Sequence, residues 1–176
     1  MNAEVKLIDM EYSHAPEIAR LLNDPAVCEY LSDVIPFPYA ESDACNFISA
    51  VLEDGSTLRS RTVLYKGRIA GIAGYQSAGP NKEHIAVAGY WLGCEFWGRG
   101  IATQALRQTI DMAFSDPGII RIEATAFSPN KASCRVMEKC GMKHEATLEK
   151  ALSKKGRMYD EAVYRILRSE YAGRKF

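Results

Sequence analysis

The spacing of apolar and polar positions changes period several times along the 176 residues. Glu4 to Asp9 reads as a short strand, and helical spacing follows from Ser13 or His14 to about Asn23, with Ile18, Leu21 and Leu22 on one face. Asp24-Pro25 ends that helix. The stretch Ile35-Pro36-Phe37-Pro38-Tyr39 is not helical, because each proline drives its predecessor into extended backbone. A second helix runs from Glu41 to about Leu52 and stops at Asp54-Gly55. Thr57 to Tyr65 and Ile69 to Tyr75 are β-rich runs around Lys66-Gly67-Arg68, which predicts a hairpin. After the polar loop Ser77 to Lys82, Ile85 to Leu92 forms a third strand of that meander.

An amphipathic helix follows from Gly100 to about Phe114, burying Ile101, Ala105, Ile110 and Ala113, and Asp116-Pro117-Gly118 breaks it. Ile119 to Phe127 is another strand. Ser128-Pro129-Asn130 caps one more helix, which Gly141 closes as its C′ glycine. Met142 to Leu148 and Met158 to Leu167 are the last two strands, joined by the basic loop Ser153 to Arg157. The order βααβββαβαββ predicts an α/β (α+β) fold, a mixed sheet of about seven strands with helices on both faces. No repeat or linker divides the chain, so residues 1–176 are expected to form a single domain.

Composition narrows the partners. Lysine plus arginine and aspartate plus glutamate number 22 each, so no global field recruits nucleic acid or an anionic membrane. A local basic patch remains available to a phosphorylated ligand. The first residues, MNAEVKLIDMEYSH, carry acids within a short apolar stretch, and no run approaches the roughly 18 apolar residues of a membrane span. A cytoplasmic location is expected. The five cysteines, Cys28, Cys45, Cys94, Cys134 and Cys140, are scattered without a CxxC pair. Cys134 and Cys140 share a helix but are rotated well apart, and Cys140 with His144 lacks further metal ligands. Reduced core thiols are expected, with no disulfide and no structural metal.

The informative passage is Gly89-Tyr90-Trp91-Leu92, then Gly93-Cys94-Glu95-Phe96, then Trp97-Gly98-Arg99-Gly100-Ile101-Ala102-Thr103. It reads as a strand, a turn, a glycine-punctuated loop and the first turn of a helix. Glycines let backbone approach a ligand closely, and the first N–H groups of a helix point outward at the positive end of its dipole. The result suits a phosphate or pyrophosphate, with Arg99 adding charge. A lone Gly-x-Gly serves equally well as a tight connection that eases packing. A P-loop is excluded because no Gly-Lys-Ser/Thr follows. A dinucleotide site fits poorly, since the third glycine is missing and the strand comes late in a meander.

Trp97-Gly98-Arg99-Gly100-Ile101-Ala102 resembles the Gln/Arg-x-x-Gly-x-Gly/Ala pyrophosphate motif of the GNAT superfamily of N-acetyltransferases. Trp97 stands at the Gln/Arg position, as in the branch of ribosomal-protein N-terminal acetyltransferases. Asn130-Lys131-Ala132-Ser133, followed by Val136, Glu138-Lys139 and Gly141-Met142, resembles that family's second segment. Gly89-Tyr90-Trp91-Leu92, Pro36-Phe37-Pro38-Tyr39 and Asp24-Pro25 also look like that branch.

The resemblance implies a GNAT fold whose central parallel strands splay, here Ala86 to Leu92 and Ile122 to Phe127. It implies acetyl-CoA as acyl donor, with its pantetheine between those strands, its thioester near Trp91 and Leu92, and its pyrophosphate on the loop Trp97 to Thr103. A neutral primary amine would attack the thioester directly in a ternary complex. That chemistry needs orientation, a route for the amine's proton, and a hydrogen bond to the leaving thiolate.

The family's usual acid is a tyrosine at the position of Met137, so that role is empty. In the ribosomal branch a serine lies near the thiol, and Ser133 matches it. Asn130 is implied as N-cap and cofactor contact. Glu123 matches a family glutamate and is one candidate base, in place of the strand glutamate that is Val87 here. His84, an imidazole at the strand's start, is another. An amine that arrives deprotonated needs neither. Asp33 to Tyr39 and Lys154 to Tyr159 would frame the acceptor, with Phe37, Tyr39 and Tyr159 on an apolar wall. The acceptor is a protein N-terminus, an amino acid or another small amine, and the balanced charge argues against a polyamine. The protein would act as a monomer or homodimer, without metal. A catalytically silent acyl-CoA-binding or sensor domain on the same fold is the alternative.

Overall fold

The structure, a computed structural model, describes residues 5–171. β1 (Val5–Ile8), β2 (Arg59–Tyr65), β3 (Arg68–Ser77), β4 (Ile85–Leu92), β5 (Arg121–Phe127), β6 (Lys143–Lys154) and β7 (Arg157–Leu167) form one sheet in the order β1-β2-β3-β4-β5-β7-β6. Every neighbouring pair is antiparallel except β4 and β5. The expected hairpin is present. Lys66 and Gly67 turn in left-handed backbone at φ 51° and 75°, the two-residue geometry that matches strand twist. Lys155 and Gly156 repeat it at 48° and 75°, closing the β6–β7 hairpin.

The helices sit where the pattern put them, with small differences. One turn of 3-10 helix (Tyr12–His14) leads into α1 (Ala15–Leu22). There the buried His14 Nδ1 accepts from the Glu11 N–H at 3.2 Å and lies 2.9 Å from Thr62 Oγ1. Asp24-Pro25 ends α1 and also starts the one-turn α2 (Pro25–Cys28). Asp24 caps the Ala26 N–H at 2.8 Å, and proline is suited to a first helical position. α3 (Glu41–Leu52), α4 (Ile101–Phe114) and α5 (Lys131–Lys139) follow, and a short α6 (Arg168–Tyr171), which the pattern did not reveal, closes the described chain. Glu4, expected to open β1, lies outside the described residues.

Alternate residues of the sheet face opposite layers. On one face Ile72 packs with Ile18 and Leu22 of α1 and Ile48 of α3. On the other, Ala86, Ala88, Ile122 and Ala124 pack against Leu106 and Ile110 of α4 and Met137 of α5. Each large aliphatic side chain fully buried there contributes about 2 kcal/mol. A third cluster, with Ile101, Ala105, Leu92 and Phe96, clamps the start of α4 to the end of β4. Among the described residues, no helix is long and apolar enough to cross a membrane.

One irregularity positions everything that follows. β4 and β5 pair only at Ile85–Arg121, Ala86–Ile122 and Val87–Glu123. Beyond Val87, β4 is paired with β3 alone, and beyond Glu123, β5 is paired with β7 alone. The middle of the sheet is therefore open at the C-terminal ends of its two parallel strands.

Candidate active site

The register dictates what β4 offers to this opening. Gly93 donates to the Ala70 carbonyl at 2.9 Å, which makes Gly71–Leu92 a pair that exchanges no hydrogen bonds between its own members. Leu92 and, two residues earlier, Tyr90 thus turn their N–H and C=O toward β5, while Trp91 turns its own toward Ile72 of β3. The Leu92 carbonyl is taken by the Trp97 indole Nε1 at 2.8 Å. That leaves the Leu92 N–H and both Tyr90 groups for a ligand lying between the strands. Sequence reading placed Trp91 and Leu92 here. By register, the backbone groups of Leu92 and Tyr90 face β5 and those of Trp91 face β3, an alternation of period two that is readable once the pairing is known.

The glycine loop lies at the mouth of the opening. Gly98 and Gly100 adopt φ 72° and 75°, and no atom lies within 4 Å of where a Cβ would stand on either. The backbone here is left-handed without being crowded, so a ligand can rest against it. Gly100 is the N-cap of α4, its carbonyl accepting from Gln104 N–H at 3.1 Å. The N–H groups of Ile101, Ala102 and Thr103 belong to the first turn and have no acceptor within the helix. Arg99 is exposed beside them. The nearby acid is neutralised: Glu95 meets Arg20 at 2.6 Å and Arg68 at 2.9 Å, and these guanidiniums hold its carboxyl below the usual carboxylate range. The loop's field stays favourable to an anion.

α5 supplies the third wall. Asn130 caps it, its Oδ1 accepting from the Ser133 N–H at 3.1 Å. Ser133, half-buried, has its Oγ 2.8 Å from the Tyr90 hydroxyl, which also donates to the Ser133 carbonyl at 3.1 Å. Burial pushes the Tyr90 phenol well above its ordinary range, so it stays protonated. Met137 is wholly buried between α4, α5 and the sheet and presents no polar group to the opening.

The two candidate bases are placed very differently. Glu123 is the last residue of β5 paired with β4, at the apex of the opening, on the sheet face opposite Ile122, Ala124 and α5. Its Oε1 is held by Arg121 Nε at 2.7 Å, and Arg121 also meets Glu145. His84 precedes β4 at the closed end, where its carbonyl accepts from Ile120 and Arg121 N–H. Eight residues of strand at about 3.3 Å each separate it from Leu92. The fold does not bring His84 to the other candidates.

The two segments expected around an acceptor do meet. Asp33 accepts from the Lys155 N–H at 2.9 Å and pairs with Lys154 Nζ at 3.2 Å, while Lys154 also reaches the Leu31 carbonyl. The expected aromatic wall, however, is divided. Tyr39 is core: it is 8 % exposed, and its backbone N–H and C=O are both held by the Asn23 side chain. Phe37, half-exposed, lines a small depression of about 80 Å³ with Cys28, Leu31, Ile35 and Lys154. Tyr159 lines another, of about 370 Å³, with Ser128, Lys131, Met158 and Asp160. Tyr159 also packs edge-on against Phe127 at 5.4 Å, and Phe127 against Tyr30 at 5.9 Å. These ring contacts extend the aromatic cluster to Tyr30, a contact nothing in its local sequence marks. Among the described residues, no group of three or more His, Cys, Asp or Glu side chains could hold a metal.

Residues 4–143 match the family model described as an acetyltransferase (GNAT) domain. The uncharacterised N-acetyltransferase p20 of Bacillus licheniformis is 26% identical over 167 residues, covering 93% of each chain. Among solved structures, the microcin C7 self-immunity acetyltransferase MccE, in complex with acetyl-CoA and AMP, aligns with a TM-score of 0.82 at 27% identity, over 93% of this chain and 92% of that one. RimL, the ribosomal L7/L12 α-N-protein acetyltransferase, in complex with coenzyme A, shares the fold with a TM-score of 0.83 at 20% identity, over 93% of both chains. A family match over most of the chain, on a sheet opened between its parallel strands, identifies this protein as an N-acetyltransferase of the GNAT family.

Proposed function

We propose that the protein transfers an acetyl group from acetyl-CoA to a primary amine by direct attack, in one ternary complex. The observation that carries this reading is the opening between β4 and β5, with both Tyr90 backbone groups and the Leu92 N–H turned into it along one side and the Gly98–Thr103 loop at its mouth. A pantetheine arm extends between the strands and pairs with these groups, while the pyrophosphate takes the N–H groups of Ile101 to Thr103 and the charge of Arg99. Acetyl-CoA supplies the activated acyl carbon. The Leu92 N–H is oriented to stabilise the carbonyl oxygen as it gains charge, and the Ser133 hydroxyl to hydrogen-bond the departing sulfur.

The donor thus enters from the α5 side. The acceptor amine approaches from the opposite face, past the Asp33–Lys154 contact, with Phe37 and Tyr159 flanking its path. Glu123 stands at the apex on that face and takes the amine's proton through water or not at all; an amine delivered neutral needs no base. The acceptor is a protein N-terminus, an amino acid or another small amine, and the reaction is placed in the cytoplasm.

The test is to mix the purified protein with acetyl-CoA and a panel of peptides and small amines, and to follow thiol release. Turnover on at least one amine, with the product acetylated on nitrogen, is expected. Calorimetric binding of acetyl-CoA with no turnover on any amine would overturn the reaction, and absence of binding would overturn the site.

A further inference from the structure

The helix that should carry an acidic phenol has Met137 instead, wholly buried. Yet a phenol stands at the opening, contributed by the strand across from it. We propose that Tyr90 is a positioning residue that decides which way the Ser133 hydroxyl points as the sulfur leaves. The inference rests on the reading of Ser133 given above.

The geometry offers the Tyr90 proton two acceptors on one residue, the Ser133 carbonyl at 3.1 Å and Ser133 Oγ at 2.8 Å. When Tyr90 donates to the carbonyl, its own oxygen attracts the serine proton, and Ser133 has nothing to offer the opening. When Tyr90 donates to Oγ, the serine proton is free to turn toward the ligand. A rotation about the phenol C–O bond exchanges the two arrangements without moving a heavy atom. Asn130 fixes the backbone of Ser133, so the hydroxyl's direction is the remaining freedom.

Burial keeps the phenol protonated and therefore always a donor, never the source of the proton. During transfer the amine lone pair forms the new C–N bond. The C–S bond breaks and its electron pair goes to sulfur, which accepts the Ser133 O–H hydrogen bond while Tyr90 supports Oγ from behind. The amine's proton passes to solvent, and the thiolate finally takes a proton from solvent. Both hydroxyls end as they began.

The experiment compares Tyr90→Phe, Ser133→Ala and the double variant, with thermal midpoints measured alongside. Tyr90→Phe is expected to lower kcat about tenfold, the loss of one well-placed hydrogen bond, with KM for acetyl-CoA nearly unchanged. In the Ser133→Ala background the same change is expected to do nothing, and Ser133→Thr is expected to restore the sensitivity. Full kcat in Tyr90→Phe, or an equal loss with and without the serine hydroxyl, would overturn the inference while leaving Ser133 in place. Full kcat in Ser133→Ala would instead remove the reading of Ser133, and this inference with it.

Discussion

Around the N-terminus of α4 the groups offered to a ligand are main-chain N–H and C=O, placed by two left-handed glycines and by the end of a strand. Around the tip of the β6–β7 hairpin they are side chains: Lys154 and Tyr159 at the strand ends, and Phe37 and the carboxylate of Asp33 on the facing loop. On the function proposed above, the first region would recognise something every donor molecule shares, a pyrophosphate and two amides, for which backbone suffices. The second would have to tell one amine from another, and only side chains differ enough to do so. A donor site built this way tolerates side-chain drift, whereas an acceptor site is rewritten by it.

The sharpest way to break the contrast is Gly100→Asp. It sets a carboxylate where the pyrophosphate belongs and forces a Cβ into left-handed backbone, and acetyl-CoA affinity measured by calorimetry is expected to fall at least about a hundredfold. On the acceptor side, Tyr39→Ala tests whether that aromatic is wall or core. It is expected to cost about 3 kcal/mol in denaturant unfolding, with KM for the amine unchanged in the protein that remains folded. Phe37→Ala and Tyr159→Ala are expected to do the reverse, raising KM for the amine up to about tenfold while leaving acetyl-CoA binding intact. Equal effects on both substrates would merge the two regions.

Gly98→Ala is milder than the aspartate change, because the space above Gly98 is empty and only left-handed strain of about 1 kcal/mol remains, a loss of roughly fivefold in donor affinity. Smallest of all is Glu170→Gln, remote from both regions. Lys143, then Arg165, hold the Glu170 carboxyl at about 2, below its ordinary 4.5. A depressed carboxylate stabilises the fold above its ordinary pKa and loses that contribution as pH falls toward 2. The variant is therefore expected to melt slightly below the parent at pH 7, with the gap closing between pH 4.5 and 2.

The glycine loop and the cap of α5 were legible in the sequence because their requirements are conformational. Glycine at 98 and 100 and an N-capping Asn130 announce themselves by residue type. What escaped was whatever depends on register. Trp91 and Tyr90 are adjacent and similar in sequence, and only the pairing of Gly71 with Leu92 says which one turns its backbone to the opening. β6 was expected to end at Leu148 and continues to Lys154, because an edge strand exposed along most of its length carries little apolar alternation to read. The acceptor aromatics were grouped by the family resemblance, which sets Asp33 to Tyr39 and Lys154 to Tyr159 around the acceptor. Tyr39, Phe37 and Tyr159 were then sorted by the sheet into core and two separate depressions, a distribution no local pattern encodes.

The contact of Asp33 with Lys154 and Lys155 joins points about 120 residues apart along the chain. The proposed donor cradle, by contrast, lies within the single run from Ile85 to Ser133. A rim that closes over so long a span is the more vulnerable to partial opening, since fraying of either the segment after α2 or the hairpin tip releases it. On gentle heating or in low denaturant, the protein is therefore expected to lose discrimination among amines before it loses its hold on coenzyme A.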